Sequence, residues 1–113
     1  MSDIRLEEVP FVLDGKTYKL RCNMNVLADV QEAYNGDFYE ALSEKNTLKS
    51  SLTFLAAMLN DYADEMGWEE RYTAKQLGRK YKRFDLPIEQ IMGIVIRGIT
   101  PDSAEEEPEE PGN

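Results

Sequence analysis

The sequence predicts a mainly α-helical fold: an N-terminal β-hairpin, about five helices and a disordered acidic C-terminal tail. Three observations lead to this fold class. The pair Asp14-Gly15 separates two short apolar runs, as in a hairpin with a two-residue turn. Apolar residues then recur three and four positions apart in several later segments, which is the helical spacing. Residues 101–113 combine glutamate, proline and glycine with few apolar side chains, a composition typical of disorder.

The charge is distributed unevenly along the chain. The 113 residues fit one helical domain with the hairpin at positions 1–100, followed by the acidic tail at positions 101–113. The net charge is −9, and six of the 22 acidic residues lie in this tail, which has no Lys or Arg. Positions 1–100 contain the other 16 acidic residues and all 13 basic residues, which gives this part of the chain a net charge of −3. This balance argues against nucleic acid or an anionic membrane as a partner.

The residue types exclude several kinds of chemistry. Cys22 is the one cysteine and there is no histidine, which excludes an intramolecular disulfide, a thiolate zinc site and a histidine base. We therefore expect neither an enzyme nor a bound cofactor. The first residues lack the pattern of a signal peptide, and no apolar stretch approaches the roughly 18–20 residues of a membrane span. These features predict a cytoplasmic protein.

The hairpin is predicted over residues 9–22. Its turn suits type I′ geometry, in which Asp14 and Gly15 both adopt positive φ. In the second strand Tyr18 and Leu20 alternate with basic residues, so one face of the hairpin should be solvated. Because an isolated hairpin is marginally stable in water, its apolar face is expected to rest on helices.

Two helices are predicted directly after the hairpin. Asn23 or Asn25 caps the first, which ends just before Gly36. Asp37 and the glutamate three residues later fit a capping box, and they predict a short helix over about 38–44.

The strongest helical pattern follows Thr47 and ends at Gly67. Its apolar side is predicted to consist of Leu48, Leu52, Leu55, Leu59, Tyr62 and Met66. Roughly 19 residues at 1.5 Å each give a length of about 28 Å, close to the width of a small domain. We therefore expect this helix to be the central one.

Two more helices complete the predicted domain. Thr73 and Gln76 fit a capping box that opens a helix from Ala74 to about Lys82, and Pro87 suits the first turn of the last helix. The buried side of the last helix is predicted to comprise Ile88, Ile91, Met92, Val95, Ile96 and Ile99. The core is predicted to be built on Leu52, Leu55, Leu59, Ile91 and Val95.

Two charged clusters are candidate sites. The acidic cluster consists of Asp61, Asp64, Glu65, Glu69 and Glu70. Its oxygen ligands would suit calcium or magnesium, but the spacing does not match an EF-hand loop, which favours a solvated helix face. The basic cluster consists of Lys75, Arg79, Lys80, Lys82 and Arg83, with aromatic residues between them. It fits a solvated face, a docking patch for an acidic protein segment or, least well in an acidic protein, a site for single-stranded nucleic acid.

The order of these elements resembles a family of phage proteins. The sequence FVLDGKTYKL at residues 11–20, followed by NVLADVQEAY at 25–34, a long helix and an acidic end, is similar to the tail assembly chaperones of long-tailed bacteriophages and prophages. The resemblance covers roughly residues 9–100. It implies a protein of the bacterial cytoplasm that binds the helical tape-measure protein and keeps it soluble while tail-tube subunits assemble around it. Contact with the tail tube protein is implied through the longer frameshifted products of many family members.

A client of this kind needs an apolar groove, and methionine side chains adapt well to varied clients. The predicted partner-binding residues are Met58, Tyr62, Met66, Lys75, Arg79, Lys82 and Met92. Self-association through such a groove is left open. The alternative function is that of a small acidic inhibitor or regulator, such as a DNA mimic that occupies a nucleic-acid-binding protein. Against it, the densest carboxylates lie in the tail, whereas a mimic displays them on a rigid surface.

Overall fold

The computed structural model describes residues 7–82 and 85–100. In this part of the chain a two-stranded antiparallel sheet precedes five α-helices, which confirms the predicted fold class. The elements are β1 (Val9–Leu13), β2 (Lys16–Leu20), α1 (Met24–Ala33), α2 (Phe38–Ala41), α3 (Thr47–Met66), α4 (Ala74–Lys80) and α5 (Ile88–Ile99), with a 3-10 turn at Glu44–Asn46. Arg83 and the predicted tail at 101–113 lie outside the described residues.

The hairpin forms as its turn sequence predicts. Asp14 has φ 52° and Gly15 has φ 80°, the two positive values of a type I′ turn. This turn pairs Phe11 with Tyr18 in antiparallel register. Tyr18 and Leu20 are buried while the basic residues between and after them face outward or lie at the edge of the core, so the hairpin has one packed face.

Local capping decides where α1 begins and where it ends. The side chain of Asn23, rather than Asn25, accepts a hydrogen bond from the backbone N–H of Val26 at 3.0 Å, which identifies it as the N-cap. The chain leaves the helix through Asn35 and Gly36, both with positive φ.

The capping box predicted for α2 is wrong. Asp37 makes no side-chain capping hydrogen bond, because its backbone, at φ −101° and ψ 87°, lies outside the extended conformation of a cap. Glu40 instead accepts a hydrogen bond from the Asn46 side chain at 3.2 Å. The helix ends at Ala41, earlier than predicted.

Helix α3 is the central element and packs against α1, β2, α4 and α5. It begins at Thr47, and Gly67 ends it with a left-handed φ of 76°. Every residue from Phe54 to Leu59 is buried, so this helix has no single buried stripe in its middle. The predicted core residues Leu55 and Leu59 are fully buried, whereas Leu52 is only half-buried.

Helix α5 buries most of the side that the sequence predicts, with Ile88 and Met92 packed half-buried against the core. Ile91, Ile94 and Val95 are buried, while Ile96, predicted to point inward, is half-exposed. Gly98, seven residues after Ile91, lies against Cys22. Within the described residues, none of these helices has the length and apolar character needed to cross a bilayer.

Candidate partner-binding groove

An apolar groove lies between the N-terminal half of α3 and the helix α4. We call it the α3–α4 groove; its volume is about 750 Å³. The residues that line it are Lys45, Asn46, Leu48, Lys49, Leu52, Thr53, Ala74, Lys75 and Gly78. This set contains three lysines and no carboxylate, although the protein as a whole is acidic.

The floor of the groove continues a surface that is buried elsewhere on α3. Leu48 and Leu52 stand seven residues before Leu55 and Leu59, so each pair shares nearly the same side of the helix. Leu55 and Leu59 are covered by neighbouring elements, whereas Leu48 is 61 % exposed and Leu52 is half-buried. The apolar side of α3 therefore extends beyond the elements that cover its middle.

A glycine keeps the groove open on the α4 side. Gly78 faces Leu52, and a Cβ placed there would lie 3.5 Å from the Leu52 Cδ1 atom. That distance is an ordinary van der Waals contact, so a methyl group fits but a larger side chain would fill the space.

The rim of the groove carries cations without ion-pair partners. Within residues 7–82 and 85–100, the cations that pair with carboxylates are Lys16, Arg21, Arg71, Lys80 and Arg97. None of Lys45, Lys49 and Lys75 pairs with a described carboxylate; the ammonium of Lys49 lies 4.7 Å from the centroid of the Tyr34 ring. These three lysines therefore form no ion pair with a carboxylate of the described residues.

Helix α4 is held in place by hydrogen bonds at its start. The capping box predicted for Thr73 and Gln76 is present, with both reciprocal hydrogen bonds formed. One residue earlier, the Asn60 side chain donates to the Tyr72 carbonyl and accepts from the Tyr72 N–H, each at 2.8 Å. These contacts fix one wall of the groove against α3.

The hairpin turn anchors α4 from the other side. Tyr72 donates its hydroxyl to the Asp14 carboxylate at 2.7 Å, and the Lys80 ammonium lies 3.1 Å from the same group. The hydrogen bond from Tyr72 and then that from Lys80 lower the pKa of Asp14. Burial and the bond to Asp14 raise the pKa of Tyr72, so the phenol stays protonated and remains a donor.

Four of the predicted partner-binding residues do not line the groove because they lie elsewhere on α3 and α5. Met58 is fully buried in the core, so in this fold it offers no surface to a partner. Tyr62 is half-buried, with its ring centroid 6.1 Å from that of Tyr18 and 5.6 Å from that of Trp68. Met66 is exposed at the C-terminal end of α3, and Met92 packs half-buried against the core.

The three predicted basic residues are also separated by the fold. Lys75 lines the α3–α4 groove, but Arg79 lines a neighbouring polar cleft of about 410 Å³. Helix α4 ends at Lys80, not near Lys82, and Tyr81 is already extended, so Lys82 does not share the helix face. The predicted cluster therefore contributes one residue to the groove.

The sequence contained a signal for the residues that the prediction missed. Lys45 and Lys49 are four residues apart and flank Leu48, a pattern of apolar floor and basic rim at helical spacing. The sequence predicts Leu52 in the core and Leu48 on the same apolar side of the helix, because their spacing matches that of the buried residues that follow. Spacing alone does not show which part of an apolar stripe is covered by other elements of the fold.

The three members of the acidic cluster that lie on α3 pair with cations from other segments. The Asp61 carboxylate accepts hydrogen bonds from Arg21 at 3.3 Å and from Asn23 at 2.7 Å. Arg21 also pairs with Glu65, and Arg71 pairs with Asp64. Asp61 and Glu65 thereby tie the end of the hairpin to α3, while Asp64 ties the segment after the helix to it. The described residues contain no group of three or more His, Cys, Asp or Glu side chains placed to hold a metal ion.

Cys22 is 2 % exposed between the hairpin and α1, and burial raises the pKa of its thiol to about 11. At about pH 8, we expect iodoacetamide to alkylate Cys22 at least about 100-fold more slowly in the folded chain than in denaturant. A pKa raised by two units is enough to lower the thiolate fraction about 100-fold. Because the pKa is raised by folding, the thiol's contribution to stability is complete below about pH 9 and is lost as the pH rises towards about 11. Mass spectrometry of alkylated protein measures the two rates; equal rates would contradict the buried position.

Comparison with known proteins gives no further assignment. No protein-family model, no curated protein sequence and no solved structure matches the chain.

Proposed function

We propose that this protein is a tail assembly chaperone of a long-tailed bacteriophage or prophage, and that its client is the tape-measure protein. The observation that carries the proposal is the α3–α4 groove, where the apolar side of the central helix is left uncovered at Leu48 and Leu52. An exposed apolar groove on a small helical domain suits the binding of an amphipathic helix. Tape-measure proteins are long and helical, and they need such cover until the tail tube surrounds them.

Two further features support this proposal. The resemblance of the sequence at residues 11–20 and 25–34 points to the same family of chaperones. The net charge of −9 would help to keep a complex with an apolar client in solution. The proposed activity is binding, in the cytoplasm of the bacterial host, without a cofactor.

The alternative of a DNA mimic has no comparable support. A mimic presents free carboxylates on a rigid surface, but Asp61, Asp64 and Glu65 are engaged by arginines. The α3–α4 groove is moreover bordered by lysines, which would repel the cationic surface of a nucleic-acid-binding protein.

Co-expression tests the proposed function. We expect the large helical tape-measure protein encoded beside this gene to become soluble and to co-purify when both are expressed together. Expression of the tape-measure protein alone, and with an unrelated acidic helical protein of similar size, provides the controls. A tape-measure protein that stays insoluble and unbound in the presence of this chain would refute the proposal.

A further inference from the structure

The chemistry of the α3–α4 groove specifies what kind of helix it accepts. Its floor is apolar at Leu48 and Leu52, while Lys45, Lys49 and Lys75 are the charged residues that line it. A helix that satisfies both features has an apolar stripe with glutamate or aspartate on its flanks. Lysine flanks on the same stripe would meet three like charges at close range.

We propose that the α3–α4 groove binds a helical segment of the partner whose apolar stripe is flanked by carboxylates. This inference rests on the proposed function and adds the binding surface and the class of client segment. The partner helix packs on the exposed apolar side of the N-terminal third of α3. There it extends the packing that buries Leu55 and Leu59 further along the same helix.

The lysines that line the groove are available to an acidic occupant. At the hairpin end of the domain, Arg21 and Arg71 are paired with carboxylates of α3. At the groove, the three lysines have no such partner among the described residues. Exposed lysines of this kind contribute little to folding but accelerate and orient the binding of an acidic segment.

Two synthetic peptides test the chemistry of the groove. Each is a fluorescein-labelled helix of about 16 residues with leucines at i, i+3, i+4 and i+7, flanked in one peptide by glutamates and in the other by lysines. We expect the glutamate-flanked peptide to bind the full chain, as measured by fluorescence anisotropy, at least about tenfold more tightly than the lysine-flanked peptide. Added salt should reduce this preference, because the rim charges are exposed. Equal binding of both peptides, or no binding of the glutamate-flanked peptide, would overturn the proposal.

A matched pair of variants places the peptide in the groove. Leu48→Glu puts a carboxylate in the floor at an exposed position in the first turn of α3, where an acidic residue suits the helix dipole. Met24→Glu makes the same change at an equally tolerant first-turn position on α1, outside the groove. We expect Leu48→Glu to weaken binding of the glutamate-flanked peptide at least about tenfold and Met24→Glu to leave it unchanged. If both variants bind like the unmodified chain, the groove is not the site.

A second pair tests the rim in the same way. Lys75→Glu reverses a groove charge, whereas Lys19→Glu reverses an exposed lysine of the hairpin. Both variants change the net charge equally, so only a local effect separates them. We expect Lys75→Glu to weaken the glutamate-flanked peptide more than Lys19→Glu at low salt, with the difference shrinking as salt is added. Equal effects of the two substitutions would show that overall charge, and not the groove, governs binding.

Two other occupants of the groove are distinguishable in the same assays. If the peptide binds only after all five glutamates at 105–110 are replaced by glutamine in the full chain, the occupant is the chain's own acidic segment. If sedimentation shows a dimer that Leu48→Glu dissociates, the occupant is a second copy. Either result overturns the proposal. Co-expression of these variants with the tape-measure protein tests the chaperone function and the binding surface separately. If Leu48→Glu keeps the tape-measure protein as soluble as the unmodified chain does, the chaperone function stands and the groove is not the binding surface.

Discussion

Replacing Met58 with alanine is expected to lower the free energy of unfolding by about 2–5 kcal/mol, the usual cost of truncating a fully buried methionine. Met58 is 0 % exposed on the central helix, in the same core cluster as Phe54, Leu55 and Leu59. The substitution removes buried apolar surface and leaves a cavity that close-packed neighbours fill only partly. Since small domains have a total stability of about 5–15 kcal/mol, the loss would be a large fraction of the whole.

Met66 provides a control of the same residue type on the same helix. It is 48 % exposed near the last turn of α3, so Met66→Ala is expected to change stability by no more than about 0.5 kcal/mol. Urea unfolding followed by far-UV circular dichroism measures both variants. Similar losses from the two substitutions would mean that Met58 is not in the core, and would restore it as a candidate for the binding surface.

Replacing Gly98 with alanine is expected to destabilise the protein by about 1–3 kcal/mol, although alanine is the better helix former. A Cβ at Gly98 would lie 2.8 Å from both the Cβ and the carbonyl oxygen of Cys22. The carbonyl belongs to the backbone between β2 and α1, which cannot rotate away as a flexible side chain could. To relieve the clash, α5 therefore has to move away from the end of the hairpin.

Gly78→Ala is the matched control, and its expected effect has the opposite sign. Gly78 lies inside α4, and its nearest neighbour would be Leu52 Cδ1 at the ordinary distance of 3.5 Å. The gain in helix propensity is then not offset by a clash, so stability should rise by about 0.5–1 kcal/mol. Thermal and urea unfolding of the two variants give the signs; a gain at both glycines would contradict the close packing of α5 on Cys22.

Local signals in the sequence predicted the elements well. The Asp14-Gly15 turn, the Asn23 cap and the Thr73–Gln76 capping box each depend on groups no more than a few residues apart. Both partners of such an interaction therefore lie within one short stretch of sequence, where a sequence pattern can identify them. Where one local signal failed, at Asp37, the backbone conformation that the cap requires was not adopted.

The candidate site was predicted only in part. Of the residues chosen for their chemistry, Lys75 lies in the α3–α4 groove, whereas Met58 lies in the core and Arg79 lines another cleft. Helical spacing showed that Leu48 and Leu52 belong to an apolar side of α3. It did not show that the elements covering Leu55 and Leu59 stop short of them.

By itself, then, the sequence determined the order of the elements, the turn and caps that bound most of them, and the uneven charge, because these depend on neighbours along the chain. Tertiary structure alone decided which arcs of α3 and α5 are buried, and which lysines remain without a carboxylate. Arg21 meets Asp61 across 40 residues, and Lys49 and Lys75 border one groove from two helices. Such contacts depend on how complete elements pack against each other, which no short stretch of sequence specifies.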